Sequence, residues 1–177
     1  EKSQVPLVFL TYLNPVFHYG YQAFLERCQV LGVDGLIIPD LPYEEKGELA
    51  PLAKTYGVDV ISMIAPTSCQ RIQKIAAEAE GFIYVVSSMG VTGVRSEIQT
   101  DLQSIVKTIR EVTDTPAAIG FGISTPKQAE EMAAVADGAI VGSAIVKLIE
   151  KNQDKAREPL LEYVREMKAG VRKADRN

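Results

Sequence analysis

Short apolar runs alternate along the chain with stretches in which apolar residues recur at helical spacing. Six runs rich in β-branched residues predict strands at residues 5–11, 35–39, 58–64, 82–87, 117–120 and 138–141. Helical spacing is found in three groups: Tyr21, Phe24, Leu25 and Cys28; Ile72, Ile75, Ala76 and Ala79; and Leu102, Ile105, Val106 and Ile109. This alternation predicts parallel strands that are joined by right-handed helical crossovers and buried on both faces.

The composition is that of one α/β domain. The chain has 177 residues, of which 46% are hydrophobic and 24% are charged, so it contains enough apolar residues for a single core. Its net charge of −4 comes from 19 basic and 23 acidic residues mixed along the sequence, a pattern that offers no extended basic face to a nucleic acid. We therefore expect a single domain over residues 1–177.

The cysteines and the N-terminal residues argue against several classes of protein. Cys28 and Cys69 lie on different predicted elements and the chain has one histidine, so neither a disulfide framework nor a zinc site is expected. No metal or cofactor is predicted. The first residues do not resemble a signal peptide, and no run reaches the ~18 apolar residues of a membrane span. The expected location is the cytoplasm, and Glu1 in place of a start Met predicts a chain that begins inside a longer one or has been processed.

Two successive strands run directly into glycine turns. Gly120 and Gly122 follow one strand, and Gly142 follows the next, with Ser143 at the start of a helix. Glycine lets an anion approach the backbone, and a helix start adds N–H groups and the positive end of the helix dipole. The alternative is that these glycines only permit close packing of strand and helix. Two such turns in succession favour a phosphate site.

The position of these turns also bears on the type of α/β fold. A dinucleotide-binding fold carries its glycine motif after the first strand, whereas phosphate sites after the last two strands are typical of β/α barrels. Periodicity alone does not separate an open sheet from a barrel. A complete barrel has eight strands, and this chain shows six.

At these residues the chain resembles the tryptophan synthase alpha chain family. The motifs are Gly-Phe-Gly-Ile-Ser-x-Pro at 120–126 and Gly-Ser-Ala-Ile-Val-Lys at 142–147, together with Tyr-Leu-Asn-Pro at 12–15, Pro-Asp-Leu-Pro at 39–42 and Gly-Val-Thr-Gly at 90–93. The resemblance covers essentially the whole chain. It implies a TIM (β/α)8-type barrel of which this sequence holds six of the eight βα units, the third to the eighth.

The resemblance implies a lyase of tryptophan biosynthesis that cleaves indole-3-glycerol phosphate to indole and glyceraldehyde 3-phosphate. The family's catalytic Glu and Asp would lie before Glu1, and each acid–base group contributes on the order of 10²- to 10⁴-fold, so we expect binding without efficient turnover. Tyr84 matches a supporting tyrosine, although a buried core aromatic explains it equally well. Asp40 is a weak substitute base, because Asp-Leu-Pro is first of all typical of a turn and a helix start.

The resemblance also implies substrate and partner contacts. At the phosphate, Gly93 would join Gly120, Gly122, Gly142 and Ser143. The indole pocket would be formed by Leu10, Tyr12, Ile37, Ile64 and Phe121, several of which strand packing predicts equally. The partner would be the tryptophan synthase beta chain, contacted through Asn14, Phe17, Pro42 and Gly90.

Other functions and an assembly question stay open at this point. A noncatalytic phosphate-binding or subunit-contact module is one alternative, and another phosphosugar barrel enzyme such as an isomerase is the other. If two barrel units are missing, strands 5–11 and 138–141 each have an open edge, and such edges template association. We expect the missing strands to be supplied by a separate segment, by a second copy of the chain, or by a part of the molecule outside this sequence.

Overall fold

The computed structural model describes residues 4–87, 95–120 and 122–174. In the helix that begins at Arg95, side chains are described from Leu102 onward. The strands are β1 Val8–Leu10, β2 Gly35–Ile37, β3 Asp59–Val60, β4 Ser62–Ile64, β5 Ile83–Val86, β6 Ala117–Gly120 and β7 Gly138–Ile140. The helices are α1 Leu13–Tyr19, α2 Tyr21–Leu31, α3 Ala50–Thr55, α4 Cys69–Ala77, α5 Arg95–Arg110, α6 Pro126–Ala133, α7 Ser143–Asn152 and α8 Arg157–Lys173. Short 3-10 helices cover Tyr43–Glu48 and Gln153–Lys155.

The chain divides into two compact units. The first comprises Glu1–Met63 and Glu78–Ile83, and the second comprises Ile64–Ala77 and Tyr84–Asn177. Helices and strands alternate through both, as the apolar pattern predicts. The expectation of parallel pairing is confirmed where the strand registers are defined, between β1 and β2, β2 and β3, and β6 and β7.

The first unit contains a parallel sheet in the order β1-β2-β3. Leu10 lies opposite Ile37 in the register of β1 and β2. All residues of β2 are buried, whereas Phe9 and Leu10 of β1 are exposed. The expectation of burial on both faces therefore holds for β2 and is wrong for β1. In the described part of the chain β2 is the only strand beside β1, so β1 has less structure to pack against.

The core of the first unit forms around β2 and the buried faces of the first helices. In α2 the predicted positions Leu25 and Cys28 are buried, and the helix ends at Gly32, whose φ of 72° lies in the left-handed region that favours glycine. The buried apolar cluster consists of Val16, Leu25, Cys28, Val33, Leu36, Ile38, Leu49, Ala53, Val58 and Val60.

The second unit holds most of a sheet with the strand order β4-β5-β6-β7. In the parallel pair of β6 and β7, Gly120 lies opposite Ile140, so both strands end at the same edge of the sheet. The predicted helical faces are buried at Ile72, Ile75, Ala76, Leu102, Ile105, Val106 and Ile109. Ala79 was expected on the same face as Ile72, but it lies beyond the end of α4 at Ala77.

The predicted strand at residues 58–64 is two strands in the structure, so the expectation of one strand is wrong. β3 ends at Val60, and β4 begins at Ser62. The intervening Ile61 still donates its N–H to the carbonyl of Leu36 at 2.9 Å. β3 belongs to the sheet of β2, whereas β4 belongs to the other sheet, so the pairing partner changes within one apolar run. Hydrophobic pattern does not report which partner a strand pairs with. Strand 5–11 is likewise shorter than predicted.

Strands β2 and β7 each begin with a glycine that an Asp directly precedes, and each Asp joins the starts of two successive strands. The Asp34 carboxylate accepts from the Leu7 N–H at 2.7 Å, while the Asp34 N–H donates to the Leu7 carbonyl at 2.8 Å. Asp137 repeats this arrangement with Ala117, at the same 2.7 and 2.8 Å. We call each pair of reciprocal bonds an aspartate clamp. It sets the register of the strand that follows against the strand that precedes it.

Among the described residues, helix α8 is the longest helical segment, with 17 residues. Its buried positions are Met167 and Gly170, and most of its other side chains are polar. Within the described ranges, no helix combines the length and the apolar character needed to cross a membrane.

Candidate functional site

The last residue of β6, Gly120, and the turn that follows it, at Gly122, require glycine for different structural reasons. A Cβ on Gly120 would lie 2.3 Å from the Tyr84 Oη and 2.4 Å from its Cζ, so the tyrosine ring occupies the space that any other residue would need. Gly122 has a φ of 81°, which lies in the left-handed region. Packing against Tyr84 therefore explains Gly120, and backbone conformation explains Gly122.

Helix α6, which follows this turn, starts with a complete capping box. The Thr125 side chain accepts from the Gln128 N–H, and the Gln128 Oε1 accepts from the N–H groups of Ser124 and Thr125 at 2.9 and 3.1 Å. Pro126 occupies the first helical turn and carries no N–H. Several backbone donors at this helix start are thus already bonded within the protein. The N-terminus of α6 has fewer donors to offer an anion than the sequence suggests.

Helix α7, which follows β7, starts differently. Its N-cap is Gly142, no side chain caps it, and its first turn carries no acidic residue. A Cβ on Gly142 would meet no atom within 4 Å, and both Gly142 and Ser143 are exposed. The carbonyl of Gly142 accepts from Ile145 and Val146, as in an ordinary first turn. The start of α7 therefore presents an open, exposed helix N-terminus, with the positive end of the helix dipole, at the sheet edge where β6 also ends.

Tyr84 and Ile64 are the described second-unit residues expected near the substrate. Tyr84 is 9% exposed, and burial raises the pKa of its phenol above the ordinary value, at which the hydroxyl is already a protonated donor at neutral pH. Ile64 is buried as well. The Ser87 N–H, just after β5, donates to the Gly120 carbonyl at 2.9 Å and holds the ends of these two strands together. The structure thus brings Tyr84 together with Gly120, one of the predicted phosphate glycines.

The predicted indole-pocket residues of the first unit differ in exposure. Leu10 and Tyr12 are 63% and 62% exposed, whereas Ile37 is buried, although Leu10 and Ile37 are register partners. Asn14, Phe17 and Pro42, predicted to contact a partner chain, are all exposed.

Asp40, the candidate substitute base, has a structural partner. Its carboxylate accepts from the Leu13 N–H at 2.9 Å, at the start of α1. Asp40 lies in a turn, as the sequence interpretation has it, but the helix start to which it bonds is that of α1, 27 positions earlier, and not the one that follows Asp-Leu-Pro.

Three predicted residues lie outside the described part of the chain: Gly90, Gly93 and Phe121. Among the described residues, no group of three or more His, Cys, Asp or Glu side chains is arranged to hold a metal ion.

Sequence reasoning missed three residues that shape the turn after β6. Gln128 carries a readable signal, because Thr-Pro-Lys-Gln at 125–128 has the spacing of a capping box. Tyr163 donates to the Ser124 carbonyl at 2.9 Å from 39 positions away, and no local pattern predicts that bond. The third is Gly170, where a Cβ would lie 2.3 Å from the Pro126 carbonyl oxygen.

Comparison with known proteins gives consistent matches. The family model of the tryptophan synthase alpha chain matches residues 1–173. The tryptophan synthase alpha chain of Lacticaseibacillus casei is 53% identical over 171 residues, which cover 97% of this chain and 64% of that relative. The solved tryptophan synthase subunit alpha from Campylobacter jejuni has a TM-score of 0.84 at 37% identity, over 90% of this chain and 65% of that one. A solved structure of the tryptophan synthase a2b2 complex from the hyperthermophile Pyrococcus furiosus matches with a TM-score of 0.82 at 32% identity. The match covers 94% of this chain and 68% of that one.

Proposed function

Because the chain belongs to the tryptophan synthase alpha chain family, we propose that it forms the phosphate-binding part of a lyase that cleaves indole-3-glycerol phosphate to indole and glyceraldehyde 3-phosphate. The start of α7 carries this proposal. Gly142 and Ser143 are exposed there, no side chain caps the helix, and no carboxylate stands in its first turn to repel an anion. Backbone N–H groups and the helix dipole supply the recognition, so no basic side chain is required.

The chain spans 64% of the length of the Lacticaseibacillus casei relative, and we propose that it corresponds to the third to eighth βα units of the family's TIM barrel. Two observations support this. β1 and β7 each have a single strand neighbour in the described residues, and β1 exposes Phe9 and Leu10, side chains of the kind that a further strand and helix cover in a complete barrel.

In this proposal the chain anchors and orients the substrate. The phosphate binds at the start of α7 with the turn at Gly122 beside it, and the Tyr84 hydroxyl donates toward the reacting end of the substrate. The two proton transfers of the retro-aldol reaction fall to the family's Glu and Asp, in units outside this sequence. The chain alone is therefore expected to bind substrate without releasing indole. Indole release that disappears in Asp40→Asn would contradict this division of roles.

The proposed partner is a tryptophan synthase beta chain. The solved Pyrococcus furiosus relative is a tryptophan synthase a2b2 complex, and Asn14, Phe17 and Pro42 are exposed as a docking surface requires. Phe17 is 63% exposed and packs edge to face against Tyr21, with 6.0 Å between the ring centroids. The first unit therefore presents an aromatic surface of the type enriched at protein interfaces.

The phosphate proposal is tested by placing a carboxylate at the start of α7. Gly142→Asp is expected to weaken the binding of glycerol 3-phosphate by at least about tenfold in calorimetry, since like charges a few ångströms apart repel by several kcal/mol at a protein surface. The unfolding midpoint should hardly change, because a Cβ at Gly142 meets no atom within 4 Å.

Gly47→Asp is the matched control for this test. A Cβ at Gly47 also meets no atom within 4 Å, and the residue lies in the 3-10 helix of the first unit. The control adds the same charge to the chain and should leave the affinity unchanged. Equal affinity in the two variants would retire the phosphate site at α7.

A further inference from the structure

Helix α8 contacts the segment between β6 and α6 at two points. The Tyr163 Oη donates to the Ser124 carbonyl at 2.9 Å. Seven residues later on α8, the backbone at Gly170 lies so close to Pro126 that a Cβ would stand 2.3 Å from its carbonyl oxygen. Seven residues are two helical turns, about 10.5 Å along the axis, so Tyr163 and Gly170 lie on one face of α8. That face follows the backbone of residues 124–126.

The same segment is also held by α6. The Ser124 N–H donates to the Gln128 Oε1, and the Ser124 carbonyl accepts from Tyr163, so both backbone polar groups of Ser124 are bonded. Ile123, the preceding residue, is 4% exposed and anchors the segment in the core. The backbone from Ile123 to Pro126 is thus fixed by burial, by the capping box and by α8.

Gly122, which directly precedes Ile123, depends on this fixed backbone for its own conformation. It is exposed and adopts a left-handed φ of 81°, and glycine has the widest choice of backbone conformations. Nothing intrinsic to the residue sets the direction in which the N–H groups of this turn point. The direction has to come from the fixed backbone that follows it.

We propose that Tyr163 is a positioning residue for the phosphate turn at Gly122: by holding the Ser124 carbonyl it aims the N–H groups of the turn before the anion arrives. This rests on the proposed phosphate function and deepens it. Donors aimed in advance cost no reorganisation on binding, so their loss appears as weaker affinity. The Tyr163 hydroxyl is protonated at neutral pH, as a phenol ordinarily is, and burial raises its pKa further. Gly170 contributes to the same positioning, because a side chain there would push α8 away from Pro126.

The test compares two variants that each remove one phenol hydroxyl. Tyr163→Phe deletes the bond to Ser124, and Tyr43→Phe deletes the bond that Tyr43 donates to Glu78 at 2.7 Å in the first unit. Amide hydrogen exchange of residues 122–125 is measured by NMR in both, without ligand. We expect exchange to be at least about threefold faster in Tyr163→Phe and unchanged in Tyr43→Phe. Gly170→Ala is a second variant, expected to accelerate exchange in the same residues.

Calorimetry with inorganic phosphate on the same samples completes the test. The loss of a single hydrogen bond of ordinary strength is expected to weaken affinity by about three- to tenfold in Tyr163→Phe. Unchanged exchange at 122–125 in both α8 variants would overturn the positioning role, whatever the affinities. If exchange accelerates but the unsubstituted chain binds no phosphate, the proposed phosphate function is wrong and α8 serves only to hold the turn.

Discussion

The two glycine turns of the second unit look alike in the sequence and differ in the structure. Gly120, at the end of β6, packs against Tyr84, Gly122 in the turn is left-handed, and the start of α6 is capped by Thr125 and Gln128. After β7, Gly142 has open space around its Cα, and α7 starts without a side-chain cap. The first turn is held by its own protein contacts from Ile123 onward, whereas no such contacts among the described residues hold the start of α7.

The difference teaches that a glycine followed by a helix start has two separate uses. Glycine can make room for another part of the protein, as Gly120 does for Tyr84, or it can leave open space at a helix start, as Gly142 does. Only the second arrangement has space for a ligand. The contrast also separates the two turns at a shared sheet edge, since the backbone after Gly122 is held rigid by protein contacts, whereas α7 starts without a side-chain cap.

The largest effect on stability is expected at Gly120. Gly120→Ala places a methyl group within 2.3 to 2.6 Å of three Tyr84 side-chain atoms and should destabilise the fold by about 1–3 kcal/mol, since the strand and the ring must move apart. Urea unfolding measures it. The control Gly142→Ala should stay within about 0.5 kcal/mol of the unsubstituted chain. Similar losses in the two variants would erase the distinction between the turns.

A smaller loss is expected at Gly122. Gly122→Ala should cost about 1–2 kcal/mol, because an L residue with a Cβ is strained at a φ of 81°. Gly122→Asn should cost less, since asparagine tolerates the left-handed region better than alanine. The order is read from thermal unfolding midpoints. Equal midpoints for the alanine and asparagine variants would show that the backbone conformation is not what requires glycine here.

The smallest of the expected effects on stability concerns the starts of helices α6 and α7, which should differ from each other. Gln128→Ala removes the acceptor of the Ser124 and Thr125 N–H groups and is expected to cost about 1 kcal/mol, as loss of a helix cap usually does. Ser143→Ala, at the start of uncapped α7, should change stability by no more than a few tenths. Denaturant midpoints decide between them. A larger loss for Ser143→Ala would mean that α7 is the capped helix in solution.

Much of the fold could be predicted from the sequence because local pattern determines it. The apolar runs located every strand in the part of the chain that the structure describes, and Ala117–Gly120 was predicted to the residue. The break at Ile61 could not be predicted, since it depends on which strand each half pairs with. For the same reason the exposure of Leu10 was missed, because an apolar run does not reveal how many neighbours a strand has.

The candidate site was predictable in its location and less so in its construction. The glycines and Ser143 could be read from the sequence, and so could the capping box at Thr125 and Gln128. The contacts of Gly120 with Tyr84 and of Ser124 with Tyr163 join distant parts of the chain, and such contacts leave no local signature. The sequence therefore predicts that an anion site exists there, while the division of labour between the two turns emerges only in three dimensions.

The aspartate clamps at Asp34 and Asp137 have a consequence for recombining this chain with others. Each clamp is completed by two backbone groups of one residue, Leu7 or Ala117, at the start of the preceding strand. A strand, its helix and the following Asp-Gly therefore form a module that contains all the groups of the clamp. Such a module sets the register of the next strand without help from the rest of the chain. A chimera whose junction falls after the glycine should keep the strand register of the donor protein, whereas a junction between Ala117 and Asp137 would need a matching acid from the other parent.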